Sequence, residues 1–217
     1  AAQPTRPNNT KKKASPLQSS TTTKQRKAVA TTKEVKAEDR PHLYLLKSEP
    51  HEFSIENLRQ KGREEWDGVR NYTARNYMRQ MQPGDQCWFY HSSCKTPAIV
   101  GTCRIVRAAQ PDTTAYMDPQ HENYDPKSTP EACRWDSVLV EFDSVYDTCV
   151  TLKELRTQAQ ANPVIAGMML LHRSRLSVMP ITQDEWDAVE NLRQRKEQNS
   201  EDLLQITKEG RDDKAKK

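Results

Sequence analysis

Between residues 42 and 146 the apolar side chains come in short runs, and each run is closed by a turn or a helix cap within a few residues. Runs of that length build a small sheet with helices packed on it, not a bundle of long helices. His42-Leu43-Tyr44-Leu45-Leu46-Lys47 reads as a buried strand. Gln86–His91 is an aromatic-rich strand that directly follows the turn Gln82-Pro83-Gly84-Asp85. Residues 98–107 form a third strand, broken by Gly101, a bulge or a site of close backbone approach. Residues 135–146 alternate at Val138, Val140 and Phe142, the pattern of a half-buried strand.

Helix signals fall between and after these runs. Ser54 is placed to cap a short helix through Leu58, and Thr73 to start a second over 74–80. Thr151 with Glu154 forms a capping box opening Leu152–Gln158, and Thr182 with Glu185 opens a helix carrying Trp186, Val189 and Leu192. A short strand is expected at 176–178. The polar loop 111–133, with four prolines, is expected to be functional or mobile. The fold class that follows is α/β (α+β): a small, mainly antiparallel sheet closed or capped by helices over residues 41–193.

Charge divides the chain differently. Residues 1–40 hold ten Lys and Arg against three Asp and Glu, a net +7, which leaves about −3 for the remainder of a chain whose total is +4. Attraction to nucleic acid through net basicity therefore belongs to this low-complexity segment alone. Its first 33 residues contain no acid and suit a targeting segment or a nuclear-import patch (Lys11, Lys12, Lys13; Lys24, Arg26, Lys27), or a plain solvated linker. The first residue is Ala1, which fits a mature form that has lost a leader. Residues 194–217 form a charged extension, interrupted by Leu203, Leu204 and Ile206. No run of 18 or more apolar residues exists, so no membrane partner is expected. Cys87, Cys94, Cys103, Cys133 and Cys149 form no CxxC pair and read as free thiols of a reducing compartment.

Three clusters carry candidate chemistry. Trp66-Asp67-Gly68-Val69-Arg70-Asn71-Tyr72-Thr73-Ala74-Arg75-Asn76-Tyr77 packs arginines, asparagines and aromatics around a turn and a helix start. Arginine suits phosphate oxygens, asparagine a base edge, and an aromatic ring a stacked base. A polar turn with Trp66 and Tyr77 in the core fits the same residues equally well. Tyr90-His91-Ser92-Ser93-Cys94 invites a nucleophile, or a metal site with Cys87, but lacks a fourth ligand, and a packing or hydrogen-bonding role for His91 is favoured. Arg173, Arg175 and Ser177 would share one face of the short strand, as a phosphate-facing or a merely solvated edge. No P-loop, GxGxxG, HExxH or GxSxG pattern is present, which argues against nucleotide hydrolysis.

Taken in order, Lys47-Ser48-Glu49-Pro50, Trp66-Asp67-Gly68-Val69-Arg70-Asn71-Tyr72, Ala74-Arg75-Asn76, Phe89-Tyr90-His91-Ser92, Gly101, Pro111-Asp112, Tyr124-Asp125-Pro126, Trp135 and Arg175-Leu176-Ser177-Val178 to Pro180 resemble the successive motifs of the EVE domain family. The resemblance covers about 42–193. It implies a PUA-like fold, a small curved β-barrel with flanking helices, akin to the YTH and SRA readers of modified bases. It also implies a non-catalytic protein without cofactor or metal, holding a base such as a methylated cytosine. Lys47, Ser48, Trp66, Arg70, Asn71, Tyr90, His91 and Ser92 would line or flank that pocket, with Arg75, Arg173 and Arg175 towards phosphates. The expected partner is nucleic acid, either RNA or modified DNA. The family points to the nucleus, while the two charged extensions suit a component of a large assembly such as a mitochondrial ribosome.

Overall fold

The computed structural model describes residues 42–215, with side-chain environments to Asp202. The basic segment and its import-type patches lie outside the described residues. One six-stranded sheet runs in the order β2-β5-β4-β3-β1-β6. Its strands are β1 (Leu43–Ser48), β2 (Arg63–Trp66), β3 (Gln86–His91), β4 (Ala98–Pro111), β5 (Asp136–Thr151) and β6 (Val178–Ile181). The pair β1–β3 is parallel and every other pair antiparallel, the mainly antiparallel mixture expected.

β1 is buried on both faces. Consecutive Tyr44, Leu45 and Leu46 have no exposure, so both faces of the strand are covered. The curl arises in the two long strands, whose pairing slips at four places. Each slip inserts a bend and extra twist. Gly101 sits at one slip, and a Cβ there would lie 2.2 Å from the Ser144 carbonyl oxygen. Bulge and close approach are both realised at this residue.

The helices begin where local chemistry dictates. Ser54 caps α1 (Ile55–Lys61), and its partner in a reciprocal box is Asn57, an unforeseen pairing; Gly62 at φ 76° ends the helix. α2 (Tyr72–Met78) starts two residues earlier than expected, because Asn71 and not Thr73 is the cap, accepting from Thr73 and Ala74 N–H. Thr151 opens α3 (Leu152–Gln158) as foreseen. Two short helices follow, α4 (Pro163–Gly167) and α5 (Met169–His172).

α6 (Gln183–Ala215) opens at the Thr182–Glu185 box and continues unbroken past Arg193. Its inner face is fixed by aromatic and polar contacts to the sheet. Trp186 stacks on Trp88 at 4.5 Å, and Glu190 accepts from Trp88 Nε1 (3.1 Å) and from the Tyr146 hydroxyl. Lys196 reaches the Cys149 carbonyl at 2.6 Å. Among the described residues no helix is long and apolar enough to cross a membrane.

Four further expectations shift. β4 and β5 are longer than the patterns suggested, because pairing with each other carries them through polar residues. β2 was not foreseen. The last strand begins at Val178, so Arg173, Arg175 and Ser177 lie in the turn before it and share no strand face. The segment 111–133 is not a free loop: it contains a 3-10 turn (Thr113–Ala115) and is tied down by the side chains described next.

Candidate functional site

At the end of the sheet where β1 and β3 finish, an open cleft of about 760 Å³ is lined by Lys47 and Ser48 of β1, Glu64, Glu65 and Trp66 of β2, the turn Asp67 to Arg70, Ser92, Ser93 and the segment Ser174 to Ser177. β1 and β2 stand four places apart in the sheet order, so a cleft between them requires the sheet to curl round on itself. The volume falls within the roughly 300–1,000 Å³ of small-ligand sites.

Trp66 and Phe53 supply the apolar wall. Trp66 is buried, its ring set edge-on to Phe89 at 5.5 Å. Lys47 projects its ammonium onto the carbonyls of Arg173 and Ser174, each at 3.3 Å, which closes the floor; burial lowers its pKa. Six carboxylates line or rim the cleft (Glu49, Glu52, Glu64, Glu65, Asp67, Glu122), against the three cations Lys47, Arg70 and Arg175. Burial, then the charges of Asp112 and Glu65, hold the Asp67 carboxyl above the usual carboxylate range, an effect that His121 partly offsets.

Arg70 is a strut. Its guanidinium donates to Asp112 Oδ2 (2.7 Å), to the Asn123 carbonyl (2.8 Å from Nε) and to Thr114 Oγ1 (3.2 Å). Asp112, 1% exposed, also accepts from Gly68 N–H at 3.1 Å and from Thr114. Burial alone would raise the Asp112 pKa, but bonds from Thr114, Arg70 and Gly68 bring it below the usual range. Gly68 has φ 68°, and a Cβ there would lie 2.8 Å from Asn123 Nδ2, so this turn needs glycine. The far end of the loop is held by Trp135 Nε1 donating to Asp125 at 2.8 Å.

Of the residues singled out in the sequence, Lys47, Ser48, Trp66, Arg70, Ser92 and Arg175 line the cleft, while Asn71, Tyr90, His91, Arg75 and Arg173 do not. Each of the latter has other work in the fold. Asn71 Oδ1 is consumed in capping α2. Tyr90 is buried under Lys47, and burial pushes its hydroxyl up to about 12. His91 Nε2 accepts from Ile55 N–H at 3.1 Å, so His91 positions the start of α1; burial lowers its pKa, which keeps that nitrogen an acceptor. Arg173 offers its carbonyl to Lys47, and Arg75 belongs to an aromatic stack outside the cleft.

Cys87, His91 and Cys94 do not converge as ligands. Among the described residues the one group of ligand-type side chains that does converge is Glu49, His51 and Glu52, exposed or half-exposed at the rim. All five cysteines are free, and burial raises the Cys87 thiol pKa. The carboxylates were the part of the site not anticipated. Exposed acids usually signal a solvated surface, and nothing local in the sequence marks these as facing one cleft.

An EVE domain family model matches residues 42–192, and the chain belongs to that family. Its curled, mixed sheet with flanking helices is the PUA-like architecture the motifs implied. Among curated proteins it resembles thymocyte nuclear protein 1 of Mus musculus, 41% identical over 164 residues, 69% of this chain and 72% of the relative. A protein of Leishmania major superposes with TM-score 0.68 at 41% identity, covering 75% of this chain and 99% of that one. The human THYN1 protein, solved in complex with 5-methylcytosine-containing DNA, superposes with TM-score 0.66 at 38% identity, covering 70% of this chain and 96% of that one.

Proposed function

We propose that this chain is a non-catalytic nucleic-acid-binding protein that takes a single base, of the 5-methylcytosine class, into the cleft between β1 and β2. The observation that carries the reading is the cleft's mismatch of polarity: an aromatic wall at Trp66 and Phe53 beside carboxylates that outnumber the cations six to three. A phosphate would be repelled there. A base offers a flat apolar face and amino hydrogens, and carboxylates accept from the N4 amino group of cytosine. Entry needs an unpaired or extruded base, since a base stacked and paired inside a duplex cannot place its face against Trp66 or its hydrogen-bonding edge in the cleft. The complex of the human relative with 5-methylcytosine-containing DNA supports the same ligand class. A nuclear location is part of the proposal, drawn from the name the relatives carry.

The test is competition binding of single-stranded oligonucleotides differing in one base (5-methylcytosine, cytosine or thymine) to the protein and to Ser174→Trp. Ser174 is exposed and lines the cleft, so the indole fills the cleft without disturbing the core. The methylated oligonucleotide should bind tightest to the parent protein, and the variant should lose the preference. Equal affinity for all three oligonucleotides, or an unchanged preference in the variant, would overturn the proposal.

A further inference from the structure

Outside the cleft, a second aromatic surface is built around Tyr72. Its ring stacks on Trp135 with centroids 4.7 Å apart and planes 23° off parallel. Trp135 is buried, but Tyr72 is 45% exposed, one of three large hydrophobic side chains exposed among the described residues. The guanidinium of Arg75 lies 4.8 Å from the Tyr72 centroid and 5.9 Å from that of Trp135. For Arg134 the two distances are 5.5 and 6.0 Å. A group above the outer face of Tyr72 would be far from Trp135, so distances this similar place both guanidiniums beside the stacked pair. The outer face of Tyr72 is left uncovered by them.

Guanidiniums outnumber carboxylates on this surface: Arg75, Arg79 and Arg134 stand against Asp125 and Asp136. Arg75 donates to two neutral acceptors, the Arg134 carbonyl at 2.6 Å and Asn76 Oδ1 at 2.8 Å. Burial, and then the neighbouring Arg79, lower its pKa, an effect that Asp136 partly offsets. Arg134 pairs with Asp125 at 3.5 Å, a carboxylate it shares with Trp135 Nε1 and the Ser128 hydroxyl. The surface also adjoins the cleft: Arg70, which lines the cleft, has its guanidinium 5.6 Å over the other partner of the stack, Trp135. An acidic cleft and a cationic aromatic shelf therefore stand side by side. Their charges match the two sides of a single nucleotide strand, base amino donors on one and phosphates on the other.

We propose that Tyr72, Arg75 and Arg134 form an outer shelf for the same strand whose base enters the cleft, with Tyr72 stacking the neighbouring unpaired base and the guanidiniums facing its phosphate. The inference rests on the reading of the cleft and extends it to the flanking nucleotide. Stacking of this kind is tolerant of base identity, so the shelf contributes affinity and leaves the choice of base to the cleft.

The experiment is fluorescence anisotropy with a labelled eight-nucleotide single-stranded DNA, carrying either one 5-methylcytosine or one cytosine, against the parent protein, Tyr72→Ala, Tyr72→Phe and Arg134→Gln. Tyr72→Ala should weaken both oligonucleotides by roughly 5- to 150-fold while leaving their ratio unchanged. Tyr72→Phe should retain binding. Arg134→Gln should reduce the slope of log affinity against log salt by about 0.7. Unchanged affinity in Tyr72→Ala, or a Tyr72→Ala effect confined to the methylated oligonucleotide, would overturn the shelf. A parent protein indifferent to methylation that still loses affinity in Tyr72→Ala would remove the cleft reading and support the shelf. No binding of either oligonucleotide by the parent protein would overturn both.

Discussion

Replacing Arg70 by alanine should unfasten the segment that leads from β4 to β5. In the native protein its guanidinium ties β2's following turn to three points of that segment: Asp112, the Thr114 hydroxyl and the Asn123 carbonyl. The side chains of Arg70 and Asp112 are 23% and 1% exposed, so the pair is largely desolvated. Removing one partner of such a pair leaves a buried carboxylate without its cation, at a cost of about 3–5 kcal/mol. Against a typical total of about 5–15 kcal/mol this is a large fraction. For a domain of this size it corresponds to a fall in Tm of roughly 6–20 °C.

The same contacts set an acid dependence. The folded-state pKa of Asp112 is depressed, so its contribution is complete above the ordinary carboxylate pKa and is lost as pH falls through the depressed one. In Arg70→Ala that contribution shrinks, and the stability difference between parent and variant should narrow on acidification below about pH 4. Arg70→Lys keeps the charge but not the planar fork, and should recover only a minor part of the loss. The assays are thermal and urea unfolding across pH, with amide exchange over 112–125 reporting the local opening. An unchanged Tm in Arg70→Ala, or full recovery by Arg70→Lys, would refute the strut.

Three other outcomes follow from single contacts. Gly101→Ala places a Cβ 2.2 Å from the Ser144 carbonyl oxygen and should cost about 1–3 kcal/mol in chemical denaturation, since two backbones must separate. Asp67→Asn should raise Tm at neutral pH, because the folded pKa of Asp67 is raised and its ionisation opposes folding; the gain should vanish below the ordinary carboxylate range, and a gain that persists there would contradict this. Trp186→Ala removes the stack on Trp88 by a partly buried ring and should cost about 1–3 kcal/mol in the same denaturation assay.

The legible parts of the fold are those decided locally. Ser54, Thr151 and Thr182 each sit one residue before a helix and satisfy its first free N–H groups, so caps alone locate three helix starts. β2 was invisible for the opposite reason. Arg63-Glu64-Glu65-Trp66 has no strand pattern; it is a strand because β5 pairs with it, and because Glu141 of β5 takes both Arg63 (2.7 Å) and Arg104 (2.6 Å). Asn71 and Thr73 are both competent caps, and only the path of the chain after Gly68 decides between them.

The candidate site was legible as a neighbourhood more than as a list. Trp66, Lys47 and Ser48 reach the cleft from the motifs that pointed to them. His91 and Asn71, from the same motifs, accept from backbone N–H groups at the starts of α1 and α2, a placement that only hydrogen-bond partners reveal.

The four tryptophans offer the most direct test of the central proposal, that the cleft holds the base. Their indole N–H resonances can be followed together while a single-stranded oligonucleotide carrying one 5-methylcytosine is titrated into the protein. Trp66, at the cleft wall, should shift strongly with the methylated oligonucleotide and more weakly with its unmethylated counterpart, while Trp88 of β3 and Trp186 of α6, stacked on each other, stay in place. A Trp66 resonance that does not move at saturation, or movement confined to Trp88 and Trp186, would contradict the proposal.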